Sequence, residues 1–275
     1  MAKLLQTLIP LLSSIALLLA TANTAQSQTT SFTYDFYGQK PTTLIYQGDA
    51  HFPPDSTYLR MTNTDSSGNP LKNRVGRAVY SKPVQFWEAG AQVDLETTVK
   101  FIIHPKIRDT DVPADGFTFF IQPVGSPVGS AGGSFGIFDD SGKNPSVFAV
   151  EFDIFTNPGV DPNYHHVGID IGSNVSKNTT NVGNAFLGQE VTARIDYEEA
   201  TKVISVHVST NSQTFEVSYV YDLSSILPQQ VEVGISASTG GEVAVHDLIA
   251  WYFTATLVRN NANRELETDN ILQYV

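Results

Sequence analysis

The chain has 275 residues, with 28 acidic against 16 basic side chains, a formal net charge of −12, and no cysteine. So acidic a surface excludes nucleic acid and anionic membranes as partners. Without thiols there is no disulfide framework, so a core, metal ions or self-association must hold the fold.

Residues 1–27 combine a basic start at Lys3, an apolar run from Leu4 to Ala20 and small residues at Ala25 and Ser27. This is the pattern of a secretory signal peptide. Gln6, Pro10 and the Ser13-Ser14 pair interrupt a run already short of the roughly 20 apolar residues a bilayer span needs, so no membrane insertion is expected. The leader directs the chain into the secretory pathway, to an extracellular or storage-vacuole destination.

Period-two alternation follows in six runs, at Ser31–Phe36, Val99–Ile103, Gly116–Ile121, Val203–Val208, Phe215–Tyr221 and Ala250–Leu257. They are rich in Val, Ile, Phe, Tyr and Thr and are separated by turn residues, the signature of antiparallel strands. Leu223–Pro228 supports at most one helical turn before its proline. With no linker or repeat between them, these runs predict an all-β antiparallel β-sandwich as one domain over 28–258. The polar stretch 259–275 reads as a tail open to processing.

Between Val150 and Asp170 the chain runs VEFDIFTNPGVDPNYHHVGID, four carboxylates and two histidines with no Lys or Arg among them. On an extended strand Glu151 and Asp153 share one face, about 6.6 Å apart, while Phe152 and Ile154 point to the core. Asn157-Pro158-Gly159 breaks the strand, and Asp161 and His166 return toward it. Carboxylates with an amide and a carbonyl suit Ca²⁺, and carboxylates with an imidazole suit Mn²⁺. A solvated acidic loop is the plainer alternative. A third reading takes Glu151-x-Asp153 as the start of the E-x-D-x-E motif of a sandwich-fold β-glucanase, but Phe155 stands where the acid is needed.

This block resembles the signature of the legume lectin family, V-E-F-D-[TS]-[FWY]-x-N followed by D-P-x-x-x-H-[IV]-G-I-[DN], departing from it at Ile154. Tyr46–Ala50, Val75–Tyr80, Pro113–Ile121, Gly132–Phe138, Val233–Gly240 and Trp251–Leu257 are similar to further family segments in the same order. The resemblance implies a flat back sheet, a curved front sheet and a non-enzymatic lectin whose Mn²⁺ and Ca²⁺ lie beneath a shallow sugar site. Mn²⁺ would take Glu151, Asp153, Asp161 and His166, with Ser176 reached through water. Ca²⁺ would take Asp153, the Phe155 carbonyl, Asn157 and Asp161. His165 would be a surface residue.

For the sugar, the same resemblance implies a carboxylate at Asp115 set by a cis peptide after Ala114, a backbone amide at Gly133, the Asn157 side chain and the Phe155 ring. The loop Thr239–His246 is similar to that of mannose/glucose-binding members, in which the amides of Gly241 and Glu242 would contact a hydroxyl. Galactose or complex glycans, or a storage or defence role with weak sugar binding, are the alternatives. Glycans and glycoproteins would be the partners, bound multivalently by a homodimer or homotetramer. Gly172, Ser134-Phe135 and the stretch Val182–Phe186, where a tryptophan is usual, depart from the family pattern. Two N-x-S/T sequons, at Asn174 and Asn178, are candidate glycosylation sites.

Overall fold

Alternating apolar side chains leave each long strand one face to bury, and the computed structural model, which describes residues 28–37, 40–105 and 112–259, stacks two antiparallel sheets to bury them. The expected leader lies outside the described residues, as does the tail beyond Arg259. The back sheet runs in the order β1 (Thr29–Asp35), β16 (Val245–Arg259), β7 (Ala91–His104), β12 (Glu190–Glu198), β13 (Val203–Ser209) and β14 (Thr214–Val220). Short β3 (Leu59–Arg60) pairs with β16, and β6 (Trp87–Glu88) with β7. The front sheet runs β11 (Asn178–Asn181), β10 (His166–Ser173), β9 (Lys143–Asp153), β8 (Gly116–Pro123), β15 (Gln230–Thr239), β4 (Arg74–Tyr80) and β2 (Leu44–Gly48), with β5 (Val84–Gln85) on β15. Each of the six alternating runs falls on a strand, and Leu223–Ser225 forms a single 3-10 turn capped by the Asp222 side chain.

The two sheets carry different burial patterns for a physical reason. On β7, Val93, Leu95, Thr97, Val99, Phe101 and Ile103 are buried while their neighbours face outward, as expected of a sheet with one solvated face. On β8, Gly116 through Gln122 are all buried, and on β9 so are Val147 through Asp153. Their inner residues meet the back sheet, where the Phe101 ring lies 4.6 Å from Phe117 and 5.0 Å from Phe152. Val182 and Phe186, standing where the family pattern has a tryptophan, are both buried, and the Phe186 ring meets Phe101 edge-on at 6.4 Å. The outer residues Phe120, Val147 and Ala149 meet a second apolar cluster with Phe135, Ile137 and Phe138, which come from the connection between β8 and β9. That connection therefore roofs the front sheet.

A buried ion pair pins the roof. Arg77 on β4 is fully buried with its Nη2 2.9 Å from Glu232 Oε1 on β15, and its Nη1 donates to the carbonyls of Pro127 at 2.9 Å and Gly136 at 3.3 Å. Its guanidinium sits 4.7 Å over the Phe120 ring. Glu232 also accepts from Gln122 Nε2 at 2.7 Å and from Gly125 N at 2.8 Å. Removing one member of a buried pair strands the other charge. Arg77→Met is therefore expected to lose about 3 kcal/mol of stability in urea unfolding, and Arg77→Met with Glu232→Gln should recover part of that loss.

Candidate functional site

The register of one hairpin assembles the acidic block. Across β9 and β10, His166 lies opposite Asp153, and Gly168 opposite Glu151. Directly opposed residues project from the same face. Glu151, Asp153 and His166 thus offer donor atoms that all lie within 4.8 Å of one another, and all three side chains are buried. His166 Nε2 is 2.9 Å from Glu151 Oε1, and its Nδ1 is 3.4 Å from the Tyr164 carbonyl, which orients the ring. Gly168 has to be glycine here, because a Cβ would stand 2.1 Å from Ser176 Oγ and 2.7 Å from Glu151 Oε1. Ser176 Oγ uses that space, lying 2.5 Å from Glu151 Oε1 and 2.8 Å from the buried Asp170 Oδ1.

The loop beyond β9 is bent inward by its own carboxylates. Asp153 Oδ1 accepts from Phe155 N at 2.6 Å, and Asp161 Oδ2 accepts from Asn157 N at 2.6 Å. Ile154 is buried and Phe155 half-buried, so the strand geometry that separates them persists one residue past its end. His165 stays in part exposed, its Nδ1 3.0 Å from the Gly183 carbonyl.

Crowding has an electrostatic cost. Burial, then the charges of Glu151 and Asp161, hold the Asp153 carboxyl well above the ordinary range. Burial and the Glu151 charge do the same to Asp170, and burial raises Asp161 to about 6. Burial pulls the His166 imidazole down, but the hydrogen bond and charge of Glu151 outweigh it and the net shift is upward. The charged forms of these carboxyls are thus disfavoured, a cost that a divalent cation would relieve. Two carboxylates and one imidazole, those of Glu151, Asp153 and His166, share a centre that Asp161 does not join at that range, and they are a fitting donor set for such an ion.

A second group of residues closes over this one. The peptide between Ala114 and Asp115 is cis. Asp115 N donates to the Ser238 carbonyl at 3.0 Å, and its own carbonyl accepts from Ile154 N at 2.9 Å, tying it directly to the acidic loop. Its carboxylate is buried, with Oδ2 lacking a hydrogen-bond partner among the described residues. Burial, offset in part by the Gly240 amide and reinforced by the Asp161 charge, raises its pKa to about 7. Gly133 abuts the Asn157 side chain closely enough that a Cβ would stand 2.8 Å from Asn157 Oδ1. Asp115, Gly133, Phe155 and Asn157 therefore gather at one end of the front sheet. From the Thr239–His246 loop it is Gly240 that approaches, where an added Cβ would be 3.1 Å from Asp115 Oδ2; Gly241 is exposed and Glu242 half-buried just beyond it.

A family model described as the legume lectin domain matches residues 29–269. The chain belongs to the legume lectin family. It is 38% identical over 270 residues to agglutinin-2 of Cladrastis kentukea, covering 94% of this chain and 92% of that protein. It is 36% identical over 245 residues to the mannose/glucose-specific lectin of Centrolobium tomentosum, covering 84% and 98%. Among solved structures, winged bean acidic lectin in complex with methyl-α-D-galactose superimposes with a TM-score of 0.78 at 33% identity, covering 84% of this chain and all of that one. Membership makes the chain a carbohydrate-binding, non-catalytic protein of β-sandwich fold.

Several residues that shape this lectin's site were invisible in the sequence motif. Ser238 Oγ donates to the Gly132 carbonyl at 2.6 Å, Ser236 Oγ to that of Phe135, and Asn174 Nδ2 to that of Gly133 at 3.0 Å. Serines on β15 alternate with apolar residues, which hinted at polar work on its outer face. For Asn174 the only sequence signal was a sequon.

The proton load has a testable sign. Groups whose folded pKa is raised stabilise the fold below their unfolded pKa and lose that contribution as pH rises through the folded value. Stripped of divalent cations, the protein should therefore melt at progressively lower temperature as pH goes from about 4 to about 7. Adding Ca²⁺ and Mn²⁺ should raise the melting temperature more at pH 7 than at pH 5, because protons compete for the same oxygens. A melting curve whose midpoint does not respond to cations at either pH would contradict this.

Proposed function

We propose that this legume lectin binds mannose/glucose-type glycans at the Asp115 end of the front sheet. The observation that carries the reading is the buried Asp115 Oδ2, which has no hydrogen-bond partner among the described residues and lies beside Gly240, with Oδ1 near Gly132, the residue before Gly133. A buried acceptor left open costs free energy unless something donates to it. Vicinal sugar hydroxyls are suitable donors, the half-buried Phe155 ring offers a platform for a C–H face, and the amides of Gly133, Gly241 and Glu242 and the side chain of Asn157 complete the contacts.

In this reading Asp153, the Phe155 carbonyl, Asn157 and Asp161 would hold Ca²⁺, leaving the Asn157 amide oriented to donate to the sugar. Glu151, Asp153, Asp161 and His166 would hold Mn²⁺, the imidazole being the donor that favours a transition ion. The protein is secreted after loss of residues 1–27 and works as a homodimer or homotetramer, because shallow sites gain strength by multivalent engagement of glycoproteins. Support for mannose/glucose comes from the Thr239–His246 loop and from the specificity in the name of the Centrolobium relative. Galactose is the second reading, favoured by the ligand named in the winged bean complex.

A glycan array with Ca²⁺ and Mn²⁺ present is expected to show mannose/glucose glycans above galactose glycans, and chelation should abolish both signals. Asp115→Ala should weaken monosaccharide binding by about 30-fold or more, the worth of charge-assisted hydrogen bonds lost together. Undiminished binding by Asp115→Ala would remove Asp115 from the site.

A further inference from the structure

The sequon Asn174-Val175-Ser176 sits where a glycan would be hard to place. Asn174 is half-buried, and its Nδ2 donates to the Gly133 carbonyl at 3.0 Å. Its backbone N donates to the Gly142 carbonyl at 3.0 Å. Its amide lies so close over Gly142 that a Cβ there would be 2.1 Å from Oδ1 and 2.9 Å from Nδ2. The third residue of the sequon is also engaged, because Ser176 Oγ lies between Glu151 and Asp170. One three-residue segment thus touches the sugar loop through its asparagine and the cation cluster through its serine.

Gly133 needs that contact. A glycine has no side chain to restrict its φ and ψ, so the direction of its amide depends on what holds the two flanking peptide planes. Ser238 Oγ holds the first of these through the Gly132 carbonyl at 2.6 Å, and Asn174 Nδ2 holds the second through the Gly133 carbonyl. Ser238 comes from β15 beneath the loop and Asn174 from the turn after β10 beside it, so the glycine is clamped from two directions.

We propose that Asn174 is a positioning residue of the sugar site, clamping Gly133 through its side-chain amide, and that it does this only without a glycan although it heads a sequon. The proposal rests on Gly133 lying in the sugar site. The other sequon differs: Asn178 is exposed on the edge strand β11, with its Nδ2 on the Ser218 carbonyl of the neighbouring β14. A sugar on this exposed asparagine would displace only the Ser218 contact and leave the Gly133 loop untouched.

The test uses the full chain loaded with Ca²⁺ and Mn²⁺. Made in a glycosylating host and passed over immobilised mannose and immobilised galactose, the retained protein should carry an unmodified Asn174 by peptide mass mapping. Retained protein with a glycan on Asn174 would overturn the proposal. Made without glycosylation, Asn174→Ala and the isosteric Asn174→Asp should each bind monosaccharide about three- to tenfold more weakly, the worth of one hydrogen bond. Their cation affinity should stay at the wild-type value, which a general loss of structure would not allow, and Asn178→Gln should match wild type throughout. Wild-type sugar affinity in both Asn174 variants would overturn the proposal. If the wild-type protein binds neither column, it is the sugar reading that fails. The clamp is then read by hydrogen exchange at residues 132–136: faster exchange in Asn174→Asp supports it, and unchanged exchange refutes it.

Discussion

The site depends on one electrostatic constraint, the burial of Glu151, Asp153 and Asp170 with Asp161 beside them and no lysine or arginine between Val150 and Asp170 to balance them. Buried like charges cannot all ionise unless a counter-charge joins them. The protein answers with three devices. The carboxyls of Asp153, Asp161 and Asp170 are held above their ordinary range, His166 is drawn to Glu151, and the backbone amides of Phe155 and Asn157 turn back onto Asp153 and Asp161. The last of these sets the course of the loop, so the fold of the site and the chemistry of the charge cluster are one problem.

The second constraint is the double burial of the front sheet. A sheet with one wet face could not hold Glu151, Asp153 and His166 out of water, nor lay a loop over its outer surface. The roof formed by Phe135, Ile137 and Phe138 makes that face dry, and the Arg77–Glu232 pair ties the roof to the strands beneath. Ser236 and Ser238 project from β15 into the same layer and take the carbonyls of the turn around Gly133. Stability of the roof and geometry of the loop around Gly133 therefore share residues, and a change in either is felt in the other.

Much of this was legible before any coordinates. The alternation on the back-sheet strands, the single turn at Leu223–Ser225 and the pairing of carboxylates on one side of β9 all follow from local periodicity, because a strand's side chains alternate whatever lies around it. Where the front sheet is covered on both sides, burial no longer alternates, as along Gly116–Gln122, and periodicity cannot say what covers the second face. Glycine is ambiguous in the same way: Gly133, Gly142 and Gly168 read alike in sequence, and their neighbours are Asn157, Asn174 and the Ser176–Glu151 contact.

The chain alone thus determined an acidic, disulfide-free β-sandwich and a cluster of carboxylates and an imidazole suited to a metal ion, since both are matters of composition and short-range spacing, whereas the sugar-site residues came from the resemblance to legume lectins. Asn174 shows what lay beyond it. As a sequence feature it is a glycosylation signal; in the folded protein its amide meets a carbonyl 41 residues away, and Arg77 reaches Glu232 across 155. Contacts of that range are chosen by which strands become neighbours in the front sheet, and no local pattern encodes that order.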